Sequence, residues 1–150
     1  NNTIVGYGTG MIVSKLPQPG DTWYSITDEG TTRNHDARGP VFYGVSATAA
    51  GGYSVDIFSR IFAHGLNLAA QYGCQEFALG SRMPGYDNWL KQHPTSGAGA
   101  YIQQCRQGGR SIDPLISLYQ QAGLEIQCVL PEYFPCEDSH DYGVLMTMEL

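Results

Sequence analysis

The sequence predicts a mixed α/β fold in which helices cover both faces of a central β-sheet. Segments rich in Val, Ile, Tyr and Phe alternate with segments of helical periodicity, in the order strand, strand, helix, strand, helix, strand, strand. At 150 residues, the chain suits one domain with a core of ordinary size. Hydrophobic residues make up 42% and charged residues 15%, which is typical of a globular protein and not of a disordered one.

Five segments predict strands because β-branched and aromatic residues are frequent in them and turn-forming residues lie between them. The second of these, PVFYGVSATA, carries no charge, which indicates a central position in the sheet. The predicted strands span 4–14, 40–49, 74–80, 124–130 and 142–150.

Two further segments predict helices. Apolar residues recur every three or four positions over 54–72, and Gly73 follows as a C-terminal cap. The segment 113–123, DPLISLYQQAG, has Asp113 to cap the first turn and Pro114 at the first helical position. The long connections 15–39 and 81–111 predict mostly loop, with one candidate helix near 98–107. A connection as long as the second one is usually functional or poorly ordered.

Charge and cysteine usage exclude several classes of protein. The net charge of −6 and the pI near 5.0 argue against nonspecific binding to nucleic acid or to an anionic membrane surface. No apolar run approaches the roughly 18 residues that a bilayer crossing needs. None of the four cysteines lies in a CxxC pair, so we expect no zinc site and a cytoplasmic chain with reduced thiols.

Three segments together resemble a known family. They read GVSATAAGGYSVDIFSRIFAHGLNLAAQYGCQEFALGSRMPGY, then DPLISLYQQAGLEI, then VLPEYFPCEDSHDYGVLM. They are similar to the GNAT acyltransferases, in particular to a subgroup with GSRxPGY and DPxxxLYxxxG segments. The resemblance implies a single GNAT-like domain over 1–150 and a gap between two parallel strands. The family's first strand and first two helices find no match, so we expect a fragment or a domain of a longer chain.

The resemblance implies acyl transfer from acetyl-CoA to a primary amine of a small molecule or peptide. Tyr119 would be the catalytic residue, because a tyrosine can return a proton to the departing thiolate. Backbone groups of β-strand residues would bind the pantetheine arm on the two sides of the gap. These are Val45, Ser46 and Ala47 on one side, and Leu79, Gly80 and Ser81 on the other.

The pyrophosphate loop departs from the family pattern. In one registration, the positions that are normally small fall on Asp56 and Phe58, where a carboxylate and a ring would oppose the phosphates. In the other, AAGGYS wraps the phosphates and the helix begins at Ser54. A third interpretation makes Asp56 only an N-cap. The candidate pyrophosphate-binding residues are Gly51, Gly52, Tyr53, Ser54, Asp56 and Phe58.

The acceptor side is the least determined by the sequence. The loop after the third strand holds Arg82, Tyr86, Trp89 and His93, of which Arg82, Tyr86 and His93 are candidate substrate-binding residues. Several loop carboxylates and histidines could serve as the general base, and the sequence selects none of them. A homodimer or an acyl carrier protein is a candidate partner. The alternative function is a degenerate GNAT domain, either a carrier-linked decarboxylase of malonyl-type thioesters or a structural module.

Overall fold

The structure is a computed structural model that describes residues 3–51 and 54–150. It confirms the mixed α/β class, with a five-stranded sheet, five α-helices and one short 3₁₀ helix in the described residues. The predicted strands 40–49, 124–130 and 142–150 agree with the structure within one residue at both ends, and the other two begin two residues later than expected. The elements are β1 (Gly6–Val13), α1 (Trp23–Thr27), β2 (Val41–Ala49), α2 (Ser54–Gln71), β3 (Glu76–Ser81), α3 (Tyr86–Gln92), α4 (Ala98–Ile102), α5 (Pro114–Gln121), β4 (Glu125–Leu130) and β5 (Gly143–Glu149).

The strands lie in the order β1-β2-β3-β5-β4. Only β2 and β3 run parallel, as the helix α2 between them requires, and the other pairs are antiparallel. The uncharged strand β2 lies inside the sheet, between β1 and β3, as its composition predicts. None of the helices in 3–51 and 54–150 combines the length and the hydrophobicity that a bilayer crossing needs.

One face of the sheet, here called the α2 face, carries the larger core. Side chains of Phe42, Phe77 and Val144 point to this face, where they pack in one cluster with residues of α2, α3, α4 and α5. The ring of Phe77 stands edge-on to that of Phe62 in α2, with the ring centroids 5.1 Å apart. Asp56 and Arg60 lie on the outer side of α2, so the helix is amphipathic.

The opposite face, here called the α1 face, carries a smaller core. Its strand residues alternate with those of the α2 face, so that Tyr43 follows Phe42 and Ala78 follows Phe77. Trp23 of α1 and the segment around Tyr133 cover this face. Helices therefore lie on both faces, and among the described residues the α1 face has one short α-helix.

Two helices were missing from the sequence prediction. The helix α1 has five residues and lies inside the predicted loop 15–39, where a capping box between Thr22 and Ser25 begins it. The helix α3 has seven residues and follows Gly85. Each is too short to show a periodic apolar stripe, so turn-forming residues dominate the local signal. The candidate helix near 98–107 exists as α4 but ends at Ile102.

A buried carboxylate orders the predicted loop 81–111. Asp113 is completely buried and caps α5, accepting from the backbone N–H groups of Leu115 at 3.0 Å and Ile116 at 3.2 Å. Its other oxygen, Oδ2, accepts from the Gly85 N–H at 3.0 Å and from the Tyr101 hydroxyl at 2.8 Å. Asp113 therefore joins the start of α3, the end of α4 and the start of α5, and its predicted role as a cap is confirmed.

Candidate active site

The strands β2 and β3 part in the middle of the sheet. They pair from Val41 with Glu76 to Gly44 with Leu79, and the pairing ends there. Beyond that point, β2 continues beside β1 and β3 continues beside β5. The structure thus contains the gap that the resemblance implies, and Val45 and Gly80 are the first residues on its two sides. We call this gap the splay.

A β-bulge lies at the mouth of the splay. In the β1–β2 register, Thr9 faces Ser46 and Gly10 faces Gly44, so Val45 has no partner in β1. A bulge bends its strand and re-aims the backbone groups of the extra residue. The Val45 carbonyl accepts a hydrogen bond from the indole Nε1–H of Trp23 at 3.0 Å. The bulge therefore turns this carbonyl toward the α1 face.

A cavity of about 370 Å³ opens from the splay onto the α2 face. Its volume lies within the range of ordinary small-molecule pockets. It extends between the sheet and the inner side of α2, and most of its lining is apolar. Its larger lining side chains are Phe42, Phe58, Ile61, Phe62, Leu68, Phe77, Leu79 and Tyr119.

Tyr119 reaches the cavity from α5. Its ring packs at 5.4 Å, centroid to centroid, from that of Phe58. Burial raises the pKa of its hydroxyl above the usual 10, and the positive charge of Arg82 opposes this only in part. Tyr119 is therefore protonated at neutral pH and can donate a proton beside the splay.

The N-terminus of α2 bears on the pyrophosphate prediction. The helix begins at Ser54, as the AAGGYS registration expects, while Gly52 and Tyr53 lie outside the described residues. Gly51 is exposed. Asp56 lies in the first turn of the helix, so its interpretation as the N-cap is wrong. Its carboxylate pairs with Arg60 at 3.1 Å on the exposed side.

Phe58 lies on the inner side of α2 rather than at the helix terminus. Its ring contacts Tyr119 and stacks near Phe62, with the centroids of the two phenylalanine rings 6.4 Å apart. The side chain thus forms part of the cavity wall. Its predicted obstruction of a pyrophosphate stays a prediction, which the substitutions Asp56→Gly and Phe58→Gly together would test through CoA affinity.

The predicted acceptor residues do not line the cavity. Tyr86 is 3% exposed and lies in an aromatic cluster with Trp89, Tyr101 and other rings, so it is a core residue and not a surface one. His93 stacks on Trp89 at a centroid distance of 4.3 Å. Arg82 is exposed, and its guanidinium lies 4.0 Å from the sulfur of Cys136. The roles of these residues toward a substrate stay predictions.

Ser81 ends β3 on the far side of the splay. It is 1% exposed, and its hydroxyl donates to the Arg82 carbonyl at 2.8 Å. Ser81 does not border the cavity, so its predicted contact with the cofactor stays a prediction. Val45, Ser46, Ala47, Leu79 and Gly80 all border the cavity, so the structure brings the two predicted sides of the gap together.

Two tyrosines that the sequence did not single out close the splay on the α1 face. The hydroxyl groups of Tyr43 and Tyr133 are hydrogen-bonded to each other, and both residues are almost fully buried. The ring of Tyr133 occupies the space where a side chain of Gly80 would stand. Burial raises the pKa of Tyr133 to about 12 and that of Tyr43 well above 10. The alternation of β2 predicts that Tyr43 faces this side, but nothing local predicts its partner 90 residues away.

Comparison with solved structures shows the architecture. The loading GNATL domain of CurA from Lyngbya majuscula superposes with a TM-score of 0.82, covering 97% of this chain and 70% of that one at 21% identity. The chain has a GNAT fold. The GNAT-like decarboxylase of GphF, in complex with isobutyryl-CoA, gives a TM-score of 0.77 over 97% of this chain and 72% of that one, at 19% identity. An aminoglycoside 6'-N-acetyltransferase from Enterococcus faecium gives 0.51, covering 73% of this chain and 58% of its own, at 14% identity.

Sequence comparison finds relatives in Bacillus subtilis. The "uncharacterized N-acetyltransferase YkwB" of Bacillus subtilis is 29% identical over 148 residues, which are 97% of this chain and 64% of that protein. The "probable hydrolase YhcX" of the same organism is 27% identical over 127 residues, 83% of this chain and 24% of that protein. The chain therefore spans less than two thirds of either relative. No family model matches it.

Proposed function

We propose that this GNAT-fold chain binds an acyl-CoA at the splay and transfers the acyl group, acetyl or similar, to a primary amine. The observation that carries the proposal is the open splay with an apolar cavity, which the half-buried and protonated Tyr119 borders. Two of the similar proteins support it. YkwB is named an N-acetyltransferase, and the GphF domain is described in complex with isobutyryl-CoA.

The described residues fit the pantetheine arm of CoA. Beyond Gly44, the edge of β2 that faces β3 has lost its strand partner, so an extended arm can lie in the splay beside it. The apolar cavity accepts the methylene groups of the arm. The N-terminus of the 18-residue helix α2 lies beyond this edge and favours an anion such as the pyrophosphate.

The chemistry follows from the positions of these groups. The amine nitrogen attacks the thioester carbonyl, forming a C–N bond as the C–S bond breaks. Backbone N–H groups at the Val45 bulge would polarise the carbonyl oxygen. Tyr119 gives its proton to the departing thiolate, and the proton that the amine loses passes to solvent. The tyrosinate regains a proton from water, since its pKa lies above neutral.

The substitution Tyr119→Phe tests this proposal. It removes the proton donor but keeps the ring against Phe58, so we expect kcat for acetyl transfer to fall about a hundredfold with little change in KM for acetyl-CoA. Tyr72→Phe, at a 64% exposed position just after the end of α2, is the matched control. Unchanged turnover of a panel of amines by Tyr119→Phe would refute the role of Tyr119.

A second candidate function has its own supporting observation. The resemblance implies that an amine acceptor approaches from the side opposite the cofactor, and in this chain Trp23 and Tyr133 cover that side. A closed α1 face suits decarboxylation of a malonyl-type thioester, in which the C–C bond breaks, CO₂ leaves and the α-carbon takes a proton. GphF is described as a GNAT-like decarboxylase. Release of CO₂ from malonyl-CoA in the absence of any amine distinguishes the two functions.

A further inference from the structure

The cavity has two ends that differ in chemistry. The splay end borders Val45, Ser46 and Tyr119, which offer backbone and hydroxyl groups. The deep end borders Phe42, Phe62, Gly65, Leu68 and Phe77, which offer only hydrocarbon. The charged and polar residues of α2 that line the cavity, Arg60 and His64, have exposed side chains and form its rim.

The deep end lies well away from the splay. Along α2 the cavity borders residues from Phe58 to Leu68, ten positions apart, which a helical rise converts to about 15 Å. Along β2 it borders residues from Ala47 back to Phe42. The pyrophosphate end of a bound CoA is expected at the N-terminus of α2, so the arm runs from there to the splay. The deep end continues in the opposite direction, beyond the thioester.

The lining of the deep end does not suit the arm itself. Two amide groups of the pantetheine arm need hydrogen-bond partners, and burying an amide without one is unfavourable. A saturated acyl chain has no such need and gains from contact with Phe42, Phe77 and Leu68. The chemistry of the deep end therefore matches hydrocarbon rather than the arm.

Two glycines keep the deep end open although packing does not require them. A Cβ at Gly65 in α2 would stand 3.4 Å from the ring of Phe77, and one at Gly44 would stand 3.5 Å from Leu79, both near ordinary contact distance. By contrast, a Cβ at Gly6 or Gly8 in β1 would overlap an isoleucine of α2. Glycine inside a helix is unfavourable relative to alanine. Gly65 thus makes α2 less stable than alanine would, but it leaves the volume of the deep end unfilled.

We propose that the deep end holds the hydrocarbon tail of an acyl group longer than acetyl, so that the thioester substrate carries a medium-length saturated acyl chain. This inference rests on the proposed binding of acyl-CoA at the splay. It adds a substrate class, with chain length selected by the space beside Gly65 and Gly44.

The test is a binding series by isothermal titration calorimetry with acetyl-, butyryl-, hexanoyl- and octanoyl-CoA. For the wild type we expect the affinity to rise on the order of threefold for each methylene that enters the apolar space. In Gly65→Leu, a leucine side chain fills the deep end, and the ratio of octanoyl- to acetyl-CoA affinity should fall to about one. Ala63→Leu, at an exposed position of the same helix, is the control that should keep the wild-type ratio.

The other possible results of this titration series contradict either the deep-end site alone or the proposed function as well. Acetyl-CoA binding with no dependence on chain length in the wild type refutes the deep-end site but leaves the proposed function intact. An equal loss of acetyl- and octanoyl-CoA affinity in a folded Gly65→Leu variant shows that the deep end holds the arm, which also refutes the inference. No binding of any acyl-CoA refutes the proposed function and the inference with it. Gly65→Ala, which adds one methyl group, gives the same ratio test with a smaller expected change if Gly65→Leu unfolds.

Discussion

The two faces of the sheet differ most where β2 and β3 part. On the α2 face, the splay opens into an apolar cavity of about 370 Å³ that Tyr119 borders. On the α1 face, the same gap is closed by the indole of Trp23 on the Val45 carbonyl and by the ring of Tyr133 on Gly80. The same two strands thus present a binding space on one side and a packed, hydrogen-bonded layer on the other.

The difference shows how a parting of strands becomes a site. Unpaired backbone groups in a sheet need partners, and on the α1 face other side chains supply them. On the α2 face they remain for a ligand, because α2 and α5 stand far enough from the sheet to leave a cavity. The predictions below disturb one face at a time, starting with the largest expected effect.

Asp113→Ala should have the largest effect, because it removes the junction that holds α3, α4 and α5 over the α2 face. Four donors lose a completely buried acceptor, so we expect the free energy of unfolding to fall by about 3 kcal/mol or more. Denaturant unfolding measures the loss. Asp138→Ala, at an exposed position of the 3₁₀ helix Glu137–Ser139, is the control, and a loss below 1 kcal/mol for Asp113→Ala would contradict the account.

Substituting the two glycines beside the splay should lower the unfolding free energy to different extents. In Gly80→Ala, the new methyl group overlaps the ring of Tyr133 on the closed face, so we expect a loss of about 2 kcal/mol in unfolding free energy. In Gly44→Ala, the methyl group points to the open face and meets its neighbours at 3.5 Å, so stability should change by less than about 1 kcal/mol. Equal losses, measured by thermal unfolding, would mean that the two faces are equally packed.

Tyr133→Phe should destabilise the closed face by about 1 to 2 kcal/mol, since it leaves the buried Tyr43 hydroxyl without its partner. The double variant Tyr43→Phe/Tyr133→Phe should lose less unfolding free energy than the two single variants lose in sum. Denaturant unfolding of the three variants checks both statements. Tyr7→Phe, at a 58% exposed position, should have no measurable effect.

The same tyrosine predicts an alkaline transition. Burial raises the pKa of Tyr133 to about 12 in the folded state, above its value near 10 in the unfolded chain. Its contribution to stability is therefore complete below pH 10 and is lost as the pH rises through 12. The fall in unfolding free energy between pH 10 and 12 should be smaller in Tyr133→Phe than in the wild type. An identical fall would rule out Tyr133 as a contributor.

Asp56→Asn should have the smallest effect on stability. The pair with Arg60 is about 70% exposed on both sides, so its loss should change the unfolding free energy by less than about 0.5 kcal/mol. The affinity for CoA should rise, because the substitution removes a carboxylate from the first turn of α2. Calorimetric titration of CoA checks this, and lower affinity would show that the ion pair helps to bind the ligand.

The sequence predicted what depends on neighbouring residues. The apolar period of α2 and the cap at Asp113 both lie within single segments. The parting of the strands followed from the family resemblance, and the structure contains it. These local and family-level signals were enough for the fold and for the position of Tyr119.

What the sequence could not predict depends on contacts between distant segments. The Asp113 carboxylate meets Gly85, 28 positions away, and this contact orders a stretch whose local composition indicates a loop. Tyr133 meets Tyr43 across 90 positions and closes the splay on one face. Trp23 lies in a five-residue helix with no periodic signal, yet its indole fixes the Val45 carbonyl. Such contacts are set by tertiary packing.

Thermal unfolding with and without acetyl-CoA tests the open splay most directly. At about a hundred times the dissociation constant, binding should add roughly 2.7 kcal/mol of stability, which raises Tm by several degrees for a chain of this size. In Gly44→Leu, where the side chain would enter the cavity beside Leu79, the rise should be absent. A wild-type Tm that stays unchanged at millimolar acetyl-CoA would contradict the account.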